Sequence, residues 1–278
     1  MAISRDPRRT AGLDSAPGQP HSLQFALGGR VLPPAELWIK VTERLRGRVM
    51  RKMCAIVTGD PKKSYGSLTP AQCEQLSLIS GKDGEGKALV GHHHAYFFVW
   101  PDEHGYPLRV VLWRREAPFT WMEIDAVLAA SEGPISWGNE QLLYIVPLPF
   151  EMPLPPGFGV CARVWRSVTP FVPPAERHRF RANCRLRPGE TPEGVARRLL
   201  LAAGMPPVSI AIEADEHTRM QLHETRRRRL AKEKARTSFV RPGFRLRLEF
   251  DTPVQGPLAI GDSCHFGLGL FRGVEETD

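Results

Sequence analysis

The chain has 278 residues, 42% hydrophobic and 24% charged, enough to bury a core as one large domain or two small ones. Its formal net charge of +8 fits a polyanionic partner. No apolar window approaches the length of a membrane span, no signal core opens the chain, and the five scattered cysteines form no C-x-x-C pair. The expectation is a cytoplasmic protein with reduced thiols and no disulfide framework.

In chain order, residues 1–20 read as a tail rich in Pro, Gly, Ser and Arg. "SLQFALGG" reads as a strand, and the helix after it carries Trp38, Val41, Leu45 and Val49 at sheet-facing spacing. Lys40, Arg44, Arg48 and Arg51 form a second, basic row on that helix. A polar loop is expected from about Lys62 to Val90. "AYFFVW" and "LRVVLWRR" read as a hairpin, "TWMEIDAVLAA" as a helix and "QLLYIVPLPF" as a strand. The order β-α-β-β-α-β is the ferredoxin-like arrangement, expected over residues 21–151.

A Pro- and Gly-rich linker precedes a second α+β unit, expected over residues 159–278. It opens with the strand "VCARVWRSVTPF". A helix follows, with Thr191 as N-cap, Pro192 at its first position and Gly204 as terminator. "VSIAIEA" reads as a strand, and the charged stretch from Gln221 to Gly243 as either helix or loop. "FRLRLEFD" alternates, with Arg245 and Arg247 on its polar face.

Three features carry chemistry. In "GHHHAYFFVW", alternation puts His92 and His94 on one face and His93 on the other. Such a cluster can be acid/base catalysts, a solvated lead-in to a strand, or metal ligands completed by His104, His178 or nearby acids. The run Arg226, Arg227, Arg228, Arg229, Lys232 and Lys234 is either a solvated stretch or the border of an RNA groove. "IGDSCHFGLGLF", with Gly261, Gly267, Gly269 and His265, is either a turn between terminal strands or backbone presented to a ligand. It is neither a P-loop nor a dinucleotide fingerprint.

That last segment resembles the signature loop of the RAMP superfamily of CRISPR-associated proteins. "WRSVTPFVPP", "LVGHHHAYFFVWPDEHG" and "GFRLRLEFDTPVQGPLAIGDSCHFGLGLF" are similar, in order and spacing, to the repeat-processing half of the fused subunit of type I-G (formerly I-U) effectors. The resemblance spans roughly residues 20 to 272. It implies two tandem ferredoxin-like (RRM-like) domains with a C-terminal Gly-rich loop, and an endoribonuclease that needs no metal or cofactor. In that family a 2′-OH attacks the adjacent phosphate of a CRISPR repeat, leaving a 2′,3′-cyclic phosphate. The crRNA is then retained for an effector complex with other RAMP and large subunits. The family pattern G-H-x-H-A places catalysis on His92 and His94. His93, Tyr96 and His265 are further candidates for catalysis or phosphate contact. RNA binding is expected at Lys40, Arg44, Arg48, the basic run, Arg245, Arg247 and the three loop glycines. In that family the processing half usually follows another RAMP module, and the tail is expected to be the remnant of that junction. The alternative is a silent RAMP subunit that binds crRNA without cutting it.

Overall fold

A computed structural model of the chain describes residues 18–89, 93–137, 141–174, 189–213, 218–221 and 240–274. Its first half contains β1 (Ser22–Gly28), α1 (Trp38–Thr58), α2 (Pro70–Gln75), α3 (Ser77–Ser80), β2 (Tyr96–Pro101), β3 (Pro107–Trp113), α4 (Trp121–Ser131), β4 (Ile135–Ser136) and β5 (Leu142–Pro147). The strands form one antiparallel sheet in the order β2-β3-β1-β5-β4. Alternation in these strands turns Phe25, Val99, Val110 and Ile145 to one face, where they share a core with Val41, Leu45, Val49 and Met53 of α1. Burying each such side chain fully contributes about 1.5–3 kcal/mol.

The stretch expected as a loop from Lys62 to Val90 instead holds α2 and α3. Thr69 and Gln72 form a reciprocal capping box that starts α2 on Pro70, and Leu76 and Ile79 plug the core below. In α4 the capping-box carboxylate of Glu123 also receives Arg114, through contacts of 2.8 and 3.0 Å, with both side chains almost wholly buried. Arg114 additionally donates to the carbonyls of Ala117 and Pro118. The guanidinium and carboxylate therefore have hydrogen-bond partners despite their burial.

The second half contains β6 (Cys161–Ser167), α5 (Pro192–Ala202), β7 (Val208–Ile212), β8 (Thr218–Gln221), β9 (Val240–Gly243), β10 (Leu246–Gln255), β11 (Leu258–Ala259) and β12 (Leu270–Val274). Its main sheet is ordered β11-β12-β6-β10-β7, and β8 pairs with β9 apart from it. Strands β12-β6-β10-β7 repeat the fourth-first-third-second order of β5-β1-β3-β2. The molecule is thus α+β with two ferredoxin-like units. The second unit departs from the pattern in two places: the β8–β9 pair is inserted between β7 and β10, and β11 and a 3-10 turn at Cys264–Phe266 stand where a helix would join β10 to β12. The segment between Gln221 and Gly243, ambiguous in sequence, supplies β8 and β9 at its ends, and its middle lies outside the described residues.

The halves meet through the sheet face opposite the first core. Tyr96, Phe98, Trp100 and Val111 pack there with Phe158 of the linker and with Cys264 and Leu270. Among the described residues, no helix is long and apolar enough to cross a membrane.

Candidate functional site

The Gly-rich loop is held by backbone on both sides. Gly269 N donates to Pro170 O at 2.9 Å and Asp262 N to Val172 O at 2.8 Å, so the loop is stitched to the segment after β6. Thr169 donates to Gly267 O at 2.7 Å, and Thr42 of α1 reaches across to Phe266 O at 2.9 Å. The glycines serve close approach. Gly269 has φ +58°, and a Cβ there would fall 2.0 Å from Ile260 O. At Gly267, with φ +91°, a Cβ would meet Phe97 O at 3.2 Å, which shows how tightly the loop lies on β2. A Cβ at Gly261 would meet Val172 O and the Phe171 ring.

Pressed against β2, the loop brings His265 into a stack with two residues of the first unit. Its ring lies 3.7 Å from that of His94, inclined by 22°, and 4.0 Å from that of Tyr96. The His94 and Tyr96 centroids are 6.4 Å apart, so the loop imidazole sits between them. Both imidazoles are half-buried, and Tyr96 is buried. The Cδ2–Nε2–Cε1 edge of His94 rests over Gly81, where a Cβ would approach Nε2 to 3.0 Å. Gly81 ends α3 in the left-handed region at φ +69°, so a residue without Cβ answers both demands.

Arg46 of α1 ties the two sides of this stack together. Its guanidinium donates to Ile79 O at 3.2 Å and Ser80 O at 2.5 Å, just before Gly81, and lies 5.4 Å from the Phe266 ring centroid, next to His265. Burial lowers its pKa, with Glu43 and Tyr65 acting the other way. Burial also raises the Tyr96 phenol well above its ordinary value; Cys264 adds to the rise and exposed Arg115 opposes it. The Cys264 thiol is pushed up to about 12, chiefly by burial. Tyr96 therefore stays protonated and can donate through its hydroxyl.

The other expected site residues fall elsewhere. His93 leaves the stack and meets Glu116 at 2.5 Å. His92, the run from Arg226 to Arg229, Lys232, Lys234 and His178 lie outside the described residues. Arg44 donates to Ser136 O, and Arg48 to the carbonyls of Glu132, Gly133 and Pro134, so both bind the turn after α4. Lys40 is half-buried on the same helix, and Arg245 and Arg247 lie on β10 or its approach. Among the described residues, no three His, Cys, Asp or Glu side chains converge as metal ligands would. Gly81, Arg46 and Thr42 were not singled out from sequence. Of these only Gly81 carried a local signal, as a glycine closing "SLIS".

No family model matches this chain, and no curated protein matches it. It is similar to solved structures. One, described as a RAMP protein binding different RNA substrates, has a TM-score of 0.48 and 12% identity over 91% of this chain and 99% of its own. A CRISPR-associated protein Cas6 has a TM-score of 0.43 and 9% identity, with the same coverages. A CRISPR endoribonuclease Cse3 bound to a 19-nucleotide RNA has a TM-score of 0.31 and 16% identity over 90% of this chain and 98% of its own.

Proposed function

We propose that this protein is a metal-independent endoribonuclease that cuts CRISPR precursor RNA within its repeats and keeps the product for a type I effector complex. The observation that carries the reading is the juxtaposition of His94 and His265 at 3.7 Å, one from each ferredoxin-like unit. The motif order that resembles the repeat-processing branch of the type I-G subunit supports it.

Cleavage requires a base and an acid on opposite sides of a phosphodiester, so the rings stacked at 3.7 Å must part as RNA enters, one acting from each side. Imidazole suits either role, neutral as base or protonated as acid, because its unperturbed pKa of about 6.5 supplies both forms near neutrality. The neutral ring takes the proton from a ribose 2′-OH, and that oxygen attacks the adjacent phosphorus. The P–O5′ bond breaks as the charged ring gives its proton to the departing oxygen, leaving a 2′,3′-cyclic phosphate and a 5′-hydroxyl. The Tyr96 hydroxyl and the cation of Arg115 stabilise charge on the non-bridging oxygens. His92, which matches the family motif, remains a catalytic candidate beside His94.

The test is incubation with CRISPR repeat RNA in EDTA. Cutting should survive chelation and stop when the scissile nucleotide carries a 2′-deoxyribose. His94→Ala and His265→Ala should each slow cutting by about 10²–10⁴-fold, the usual share of a general acid or base. RNA bound tightly but left whole would show a silent binding subunit instead.

A further inference from the structure

The outer face of the second sheet carries an arrangement that strand pairing alone disfavours. In the register of the sheet, Arg166 of β6 stands directly opposite Arg247 of β10 on one side and Arg272 of β12 on the other. Three arginines therefore lie abreast across three hydrogen-bonded strands, about 4.8 Å apart at the backbone. Like charges directly opposite on a sheet are destabilising, so the row weakens the fold it belongs to. Two carboxylates offset part of it: Glu213 meets Arg166 at 3.2 Å and Glu249 meets Arg247 at 2.6 Å. Among the described residues, none pairs with exposed Arg272, or with exposed Arg245 beside Glu213.

The face is also placed to meet the site. Leu270 and Arg272 alternate onto the same side of β12, and Leu270 packs in the seam with Tyr96 and Cys264, the neighbour of His265. Two residues of strand, about 7 Å, separate that contact from the first arginine of the row. Guanidiniums suit phosphodiester oxygens because each offers a planar fork of donors.

We infer that Arg272, Arg166 and Arg247 form a phosphate ladder that binds the backbone of an RNA strand leading away from the His94–His265 stack. The ligand is RNA because of the nuclease reading, on which this step rests. The ladder reads phosphate and ribose spacing, not base sequence, so it binds strands of any composition.

The experiment uses the full chain and a fluorescein-labelled polyuridylate 20-mer. Binding is measured by anisotropy over a salt series for wild type and for R166Q/R247Q/R272Q. For single strands each phosphate contact contributes about 0.7 to the slope of log K against log salt, so the variant slope should fall by about 2. Affinity at low salt should fall at least tenfold. An R166K/R247K/R272K chain, which keeps the charge, should retain most of the slope, and thermal melting confirms that each variant folds. An unchanged slope and affinity in the glutamine variant overturns the ladder, as does a wild-type chain that ignores RNA yet binds polyglutamate through the same residues. A wild-type chain that binds the probe through the ladder but cuts no repeat RNA overturns the nuclease reading and leaves the ladder standing.

Discussion

The two ferredoxin-like units share a strand order and differ in how they use their arginines and their last crossover. In the first, α4 covers the sheet, Arg114 is closed inside it on Glu123, and Arg44 and Arg48 bind carbonyls after α4. In the second, the last crossover is a backbone-stitched loop, and Arg166, Arg245 and Arg272 are left on an open sheet face. One unit turns charge inward to hold its own turns; the other leaves charge outward and gives a helix's place to a histidine. A repeated topology thus gives a scaffold unit closed on its own charges, which still contributes His94 and Tyr96 to the stack, and a second unit with an open charged face. The difference follows from which positions were freed from packing.

The sharpest way to break this contrast is at the junction where the units share a site. If His94 and His265 act as one device, the His94→Ala/His265→Ala chain should cut scarcely more slowly than either single variant, each down about 10²–10⁴-fold. Single-turnover rates decide it, and multiplicative losses would show independent roles. The scaffold unit is tested by Glu123→Leu, which strands the buried Arg114 and should destabilise the chain by about 3–5 kcal/mol in urea unfolding. Adding Arg114→Met should recover most of that loss, because the pair's desolvation is removed with it.

Smaller effects probe the link between units. Gly81→Ala forces a Cβ towards His94 and into a left-handed φ, so cutting should fall more than tenfold for a stability loss above about 1 kcal/mol. Arg46→Lys keeps a charge but loses the fork across Ser80 and Phe266; it should lower the single-turnover rate while leaving RNA affinity unchanged. Least in effect, iodoacetamide at pH 8 should label exposed Cys161 and spare Cys264, as read by peptide mass spectrometry. The unfolded chain ionises Cys264 from about 9 and the folded chain only towards about 12, so this thiol subtracts stability as pH rises through that window.

Much of the frame was legible in the sequence, because period-two alternation and Gly or Pro punctuation mark strands and their turns. "FRLRLEFD" announces its buried Leu246, Leu248 and Phe250, and Thr191 with Pro192 announces α5. The short helices α2 and α3 escaped because neither is long enough to show a period, although "TPAQ" spells a capping box. The meeting of His94 with His265 was beyond local reading. It depends on a loop crossing from one unit onto a strand of the other, and only the missing side chain at Gly267 hints at that contact. Arg46 was hidden for a related reason: within its helix it looks like one more residue of a basic segment.

The Thr42–Phe266 bond has a consequence for biosynthesis. An early helix and a late turn must both exist before the two imidazoles can face each other. A nascent chain, or one cut short ahead of the loop, carries His94 without His265 stacked on it. On the proposed nuclease reading, cleavage would therefore begin only after synthesis has passed the loop.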